Sequence, residues 1–143
     1  MYEVSVQRVF SAAHALQLPD KTFEPLHGHD WQISVTVVSD RLDRMQTVMD
    51  FHQLERMVDR VIEPWRDGNL NELPPFCVNE KLVVNPSAER VAEMISVAVI
   101  RQLAGEAGDG EGLGVPGVRL RQVAVGESPG CTARFNPTSG RPH

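Results

Sequence analysis

Leu26-His27-Gly28-His29-Asp30-Trp31-Gln32-Ile33-Ser34-Val35-Thr36-Val37-Val38 decides how the rest of this 143-residue chain is read. Its odd positions are His, His, Trp, Ile, Val and Val, while the even positions from Gly28 to Thr36 are small or polar. A period of two is that of a half-buried strand, and the spacing predicts one over residues 29–38, following directly from the His-x-His. His27 and His29 then share a face with Trp31, Ile33, Val35 and Val37. An earlier alternating run, residues 2–10, carries Tyr2, Val4, Val6 and Phe10 on one side and Glu3, Ser5 and Gln7 on the other. It leads into Phe10-Ser11-Ala12-Ala13-His14, and residues 15–26, with Pro19, Asp20, Lys21 and Pro25, read as the loop between the two strands. An antiparallel pairing brings His14 alongside His27 and His29. Three imidazoles so placed make a tripod suited to Zn²⁺, with the fourth tetrahedral position left open for water or substrate. The competing reading is three ordinary loop or core histidines.

Composition narrows the partners. A hydrophobic content of 41% and a charged content of 23% are those of a soluble globular chain long enough for a real core. The formal net charge of -5 argues against general nucleic-acid or membrane-surface binding and favours a small-molecule partner. Any anionic ligand then needs a local cluster of Arg or Lys. Cys77 and Cys131 lie far apart, without a Cys-x-x-Cys spacing, so neither a disulfide framework nor a cysteine-rich zinc site is expected. Met1-Tyr2-Glu3-Val4 opens a strand rather than a signal peptide, and no apolar run approaches membrane-spanning length. The expectation is a cytoplasmic protein.

Beyond a polar connection over 40–47, Val48-Met49 reads as a short strand, and Asp50 as a helix N-cap with Gln53 completing a capping box. Leu54, Met57, Val58, Val61, Ile62 and Trp65 recur at helical spacing opposite Glu55, Arg56, Asp59, Arg60 and Glu63. This helix ends near Pro64, and His52 sits exposed in its first turn. Residues 66–84 read as an irregular loop. Asn85, with Pro86 at the first helical position, opens a second helix whose apolar side is Ala88, Val91, Ala92, Ile95, Val99 and Leu103, stopped by Gly105. The glycines from Gly108 to Gly117 lack the strand-before, helix-after setting of a phosphate loop. Strands follow over about 118–125 and 131–135. The order predicts an α+β fold, an antiparallel four-stranded sheet with two helices on one face. It is expected as one domain over 1–143, with 136–143 a flexible tail, and oligomerisation is an economical cover for the open sheet edges.

Six motifs occur in order: Phe10-x-Ala12-Ala13-His14, Leu26-His27-Gly28-His29, Met49-Asp50-Phe51-x-x-Leu54, Leu70-Asn71, Asn85-Pro86-Ser87-x-Glu89 and Val125-x-Glu127. Over roughly residues 2–135 the chain resembles the 6-pyruvoyl-tetrahydropterin synthase / 6-carboxytetrahydropterin synthase family. The resemblance implies a tunnelling fold, in which trimers close a barrel and two trimers stack into a hexamer. It implies zinc held by His14, His27 and His29, and Glu127 anchoring the 2-amino and N3 edge of a pterin. A carboxylate suits that edge because it accepts two parallel hydrogen bonds; the alternative for Glu127 is a solvated strand-end charge. The implied substrate is 7,8-dihydroneopterin triphosphate, and the implied reaction a carbon–oxygen or carbon–carbon lyase step giving a 6-pyruvoyl-, 6-carboxy- or 6-hydroxymethyl-pterin. Lys81, Arg119, Arg121 and Arg134 are the candidate partners of the triphosphate.

The chain also departs from that family. A cysteine is expected a few residues before the His-Gly-His, yet Thr22-Phe23-Glu24-Pro25 holds no thiol. Arg66-Asp67 stands where an Asp-His pair is expected, and no histidine occurs between His52 and His143. Two interpretations follow. Glu24 takes the place of the cysteine as general base, with Asp67 as a second carboxylate, as in the subgroup that releases 6-hydroxymethyl-7,8-dihydropterin. Alternatively the chain is a zinc- and pterin-binding homologue that has lost the chemistry. A solvated loop charge for Glu24 and a turn residue for Asp67 are the plain readings, and Cys77 is read as buried or inert.

Overall fold

The computed structural model describes residues 1–106 and 114–138. The expectations for Gly108, Gly110 and Gly112, and for the last five positions of the tail, lie outside them. In chain order the elements are β1 (Tyr2–His14), β2 (His27–Ser39), α1 (Phe51–Ile62), the short β3 (Cys77–Val78) and β4 (Lys81–Leu82), α2 (Ala88–Leu103), β5 (Arg119–Ser128) and β6 (Cys131–Phe135). The main sheet runs β1-β2-β5-β6 and is antiparallel throughout.

The alternating pattern sets which face is buried. Val6, Phe10 and Ala12 of β1, Trp31, Ile33, Val35 and Val37 of β2, and Val123 and Val125 of β5 form one core with the apolar stripes of both helices. The helices therefore lie together on one face, as the sequence predicts. Ser5, Gln7, Ser11, Asp30 and Gln32 point from the opposite, exposed face. Arg8 has the parity of the buried residues and is not lost in the core. Its guanidinium reaches α1, donating from Nε and Nη2 to Asp59 at 2.7 Å each and from Nη1 to Glu55 at 3.0 Å. The hydrogen bond to Asp59 raises the Arg8 pKa further above its ordinary value.

Both strands of the first pair run longer than their alternation indicates. β1 continues through His14 and β2 begins at His27, because the register pairs those two residues at the end of the ladder. Val48-Met49 form no strand. Asp43 instead gathers the amides of Met45 and Thr47 and the Thr47 hydroxyl, curling the chain so that Val48 and Met49 drop into the core. Those bonds, the Thr47 amide first, hold the Asp43 carboxyl below its usual range.

Asp50 caps α1 through the His52 amide at 2.8 Å, one position earlier than a bond to Gln53. α2 opens two residues later than expected: Ser87 is the N-cap, accepting from the Arg90 amide, and Pro86 precedes it. Gly105 ends α2 with φ 79°, its amide donating to Gln102 and that of Glu106 to Arg101. This is a Schellman closure that an L side chain resists. Residues 66–84 hold a 3₁₀ turn at Leu70–Glu72 and the β3–β4 hairpin rather than an unbroken loop.

Candidate metal centre

Register alone brings the histidines together. His14 stands opposite His27 and Ala12 opposite His29, so three same-face imidazoles crowd the end of the β1–β2 ladder. Their ring centroids lie 4.7, 4.8 and 5.2 Å apart. Trp31, fully buried, forms the floor beneath them and packs edge-on against His14 and His29. Its indole N–H is spent on the Ala12 carbonyl at 3.1 Å, so the surface presented to the rings is apolar.

The loop that returns from β1 to β2 is pinned by two asparagines. Asn71 accepts from the Ala15 amide at 2.8 Å and donates to the Ala15 carbonyl at 2.6 Å. Asn85 does the same for Gln17, at 2.8 and 3.0 Å. Each side-chain amide imitates a strand partner where the ladder has ended. Glu24 closes the loop from within. Its amide donates to the Leu16 carbonyl, and its Oε1 accepts from the Leu16 amide, both at 3.0 Å.

The imidazole tautomers follow from their outer partners. His14 Nδ1 lies 2.7 Å from the Pro86 carbonyl and His27 Nδ1 lies 2.8 Å from the Pro25 carbonyl. A carbonyl only accepts, so in the neutral rings both Nδ1 atoms carry the proton. The two Nε2 lone pairs then face each other at 3.1 Å. Such an arrangement is repulsive until a cation lies between them.

Glu127 completes the group. Its Oε1 is 2.9 Å from His29 Nε2 and 3.4 Å from His14 Nε2. His29 Nε2 is buried and makes no hydrogen bond, so the short contact with Glu127 is a side-by-side approach rather than a donor aimed at an acceptor. The donor atoms of His14, His27, His29 and Glu127 all fall within 4.8 Å of one another. Donors held at about 2.0–2.1 Å around a tetrahedral zinc lie roughly 3.3–3.4 Å apart. The residues present therefore fit zinc by spacing, by tautomer and by an orphaned buried nitrogen. Carbonyls holding the outer nitrogens of metal-bound histidines are the usual second support of such sites.

The remaining candidates separate by position. Glu24 Oε1 is 3.9 Å from His27 Nε2, beside the cluster and about one-third exposed. Asp67 lies on the outer edge of β1, in a left-handed turn with φ 59°, its amide donating to the Ser11 carbonyl. It lines a cavity of about 400 Å³ with Ser11, Ala13, Asp30 and one member of the histidine group, His29, although its carboxyl is not among the donor atoms that cluster there. It is outside the histidine group. Arg119 pairs with Asp40 at 3.5 Å and Arg121 with Glu3 at 2.8 Å. Both sit at the far end of the sheet, where Arg119 faces Val38. Arg134 faces Ala124 within β6, and Lys81 lies in the β3–β4 hairpin. His52 is exposed beside Glu55, and Cys77 is half-buried in β3.

Comparison with known proteins bears on the family and the fold. The family model described as 6-pyruvoyl tetrahydropterin synthase matches residues 3–138. A dihydroneopterin monophosphate aldolase of Pyrococcus furiosus is 33% identical over 97 residues, covering 68% of this chain and 74% of that protein. A 6-carboxy-5,6,7,8-tetrahydropterin synthase of Synechocystis sp. is 30% identical over 131 residues, 88% of this chain and 86% of that protein. In structure the chain is similar to the 6-pyruvoyl tetrahydropterin synthase of Plasmodium vivax. That likeness has TM-score 0.70 at 20% identity and covers 95% of this chain and 97% of that one.

Proposed function

Because the chain belongs to the 6-pyruvoyl tetrahydropterin synthase family, we propose that it is a zinc-dependent lyase acting on the side chain of a phosphorylated 7,8-dihydroneopterin. Cleavage to 6-hydroxymethyl-7,8-dihydropterin is the outcome its residues support best. The observation that carries this reading is Glu24, a carboxylate 3.9 Å from His27 at the rim of the histidine group, where the thiol of the standard triad is missing. The aldolase name of the Pyrococcus relative supports the same direction.

His14, His27 and His29 would hold the zinc, with Glu127 within reach of it. Bound there, zinc supplies Lewis-acid polarisation of the substrate's side-chain oxygens. The Leu16 amide fixes Glu24 Oε1, and the carboxylate takes the proton from the hydroxyl on the second side-chain carbon. The bond between the first and second side-chain carbons then breaks, its electron pair passing into the conjugated C6–N5 unit of the ring. Glu24 returns the proton to the first carbon, leaving the hydroxymethyl group. Glu127 orients the ring by accepting from the 2-amino and N3 hydrogens. Trp31 keeps water from the inner side of the imidazoles. Asp67 takes no part within one subunit. Phosphate recognition falls to cations of neighbouring subunits, in a cytoplasmic hexamer built as two stacked trimers.

The test is product analysis by mass after incubating the zinc-loaded protein with 7,8-dihydroneopterin triphosphate and, separately, the monophosphate. A 6-hydroxymethyl product with release of a phosphorylated two-carbon aldehyde is expected. A 6-pyruvoyl or 6-carboxy product would reassign the step. Tight pterin binding with no product would make the chain the non-catalytic homologue.

A further inference from the structure

Four donor atoms, from His14, His27, His29 and Glu127, lie within 4.8 Å of one another, and a zinc held by all four would have one donor too many for catalysis. A zinc centre that binds substrate keeps a position free, whereas a closed set of four protein donors is the arrangement of a structural site. Given the zinc and pterin reading above, on which the inference rests, one donor has to leave when substrate arrives. We propose that Glu127 is that donor: a movable fourth ligand that closes the metal's shell in the resting protein and is drawn off onto the pterin edge as the ring binds.

The surroundings single it out. His14 is 1% exposed and its Nδ1 is fixed by the Pro86 carbonyl; His27 is fixed by the Pro25 carbonyl. His29 packs on Trp31. Among the described residues, the polar contacts recorded for the Glu127 side chain are to His14 and His29 alone, and it is 30% exposed. Its backbone sits where the β5–β6 register shifts between Gly126 and Ser128, an irregularity of the kind that re-aims a side chain. The two tasks also exclude each other. Gripping an amidine-like edge takes both carboxylate oxygens, and Oε1 now faces His29 and His14. Ring binding and opening of the metal thus become one event, so that the metal is uncovered only when a heterocycle is in place.

The test uses the full chain loaded with Co²⁺ or Zn²⁺, and pterin without a side chain as the probe. In the unaltered protein, saturating pterin should change the visible absorption of Co²⁺, because one carboxylate leaves the shell. Glu127→Gln, checked for its fold by circular dichroism, should change the Co²⁺ spectrum before any pterin is added. It should also weaken zinc in chelator competition by roughly tenfold or more. Zinc affinity and Co²⁺ spectrum unaltered by Glu127→Gln would overturn the proposal. So would a Co²⁺ spectrum of the unaltered protein that stays constant while fluorescence shows pterin bound. Failure of the underlying reading is separately visible: no stoichiometric zinc in the unaltered protein, or zinc retained by His14→Ala, removes the metal centre itself and the proposal with it.

Discussion

Single side chains carry the chemistry, and each has an isosteric test. Glu24→Gln keeps an oxygen for the Leu16 amide while removing the proton acceptor. Turnover should fall by about 10²-fold or more with zinc content unchanged; steady-state kinetics with metal analysis checks both, and undiminished turnover would reject Glu24 as the base. Asp67→Asn is its counterpart, because Asn tolerates the left-handed backbone at φ 59°. Its turnover should match that of the unaltered protein, and a large loss would place Asp67 in the chemistry, through a neighbouring subunit. At this scale the clustering of the three imidazoles was legible, since a His-x-His in an alternating strand fixes two rings on one face and the preceding strand supplies the third. The clamps behind it were not. Pro86 and Pro25 act through backbone carbonyls, which every residue owns, so no side chain announces them. That Glu127 lies against His29 depended on the register shift in β5–β6, which the alternation of β5 alone does not reveal.

Elements were legible in kind and order, and wrong mainly at their ends. Helical spacing located α1 and α2 because their stripes of Leu54, Met57, Val58 and Ile62, and of Val91, Ala92, Ile95 and Val99, are continuous. At the histidine end the strands were short by four residues in β1 and two in β2. There the ladder is held by cross-strand pairing of His14 with His27, not by apolar alternation. Arg8 is the instructive exception, a charge in a buried parity whose partners lie some fifty residues away on α1. Replacing it with Met removes two charge-assisted bonds to Asp59 and leaves Glu55 and Asp59 facing each other one helical turn apart. The Arg8 side chain is 34% exposed, so solvent screening limits the loss. Arg8→Met should lower stability by about 1 kcal/mol, read as a reduced denaturation midpoint with unchanged slope. No loss of stability would show the β1–α1 pair to be ornamental.

The whole molecule presents two outer edges, β1 and β6, on a sheet whose exposed face is polar. Among the described residues the His14 half of β1 is covered, by Arg66 Nη1 on the Val9 carbonyl, the Asp67 amide on the Ser11 carbonyl and the Gly68 carbonyl on the Ala13 amide. Edges of this length invite pairing between copies, and sedimentation equilibrium should give the mass of six chains; a monomer at working concentration would contradict the assembly. The open edges could be read from strand order, whereas the geometry of their pairing could not, because it depends on a second copy. Among the described residues no helix is long and apolar enough to cross a membrane. Everything said of function depends on one convergence, that of His14, His27 and His29 on a common ion. Anomalous diffraction at the zinc edge tests it most directly. One peak per chain is expected, about 2.0–2.1 Å from the Nε2 atoms of all three histidines, and crystals grown with zinc that show no peak there, or a peak held by other residues, would contradict that convergence.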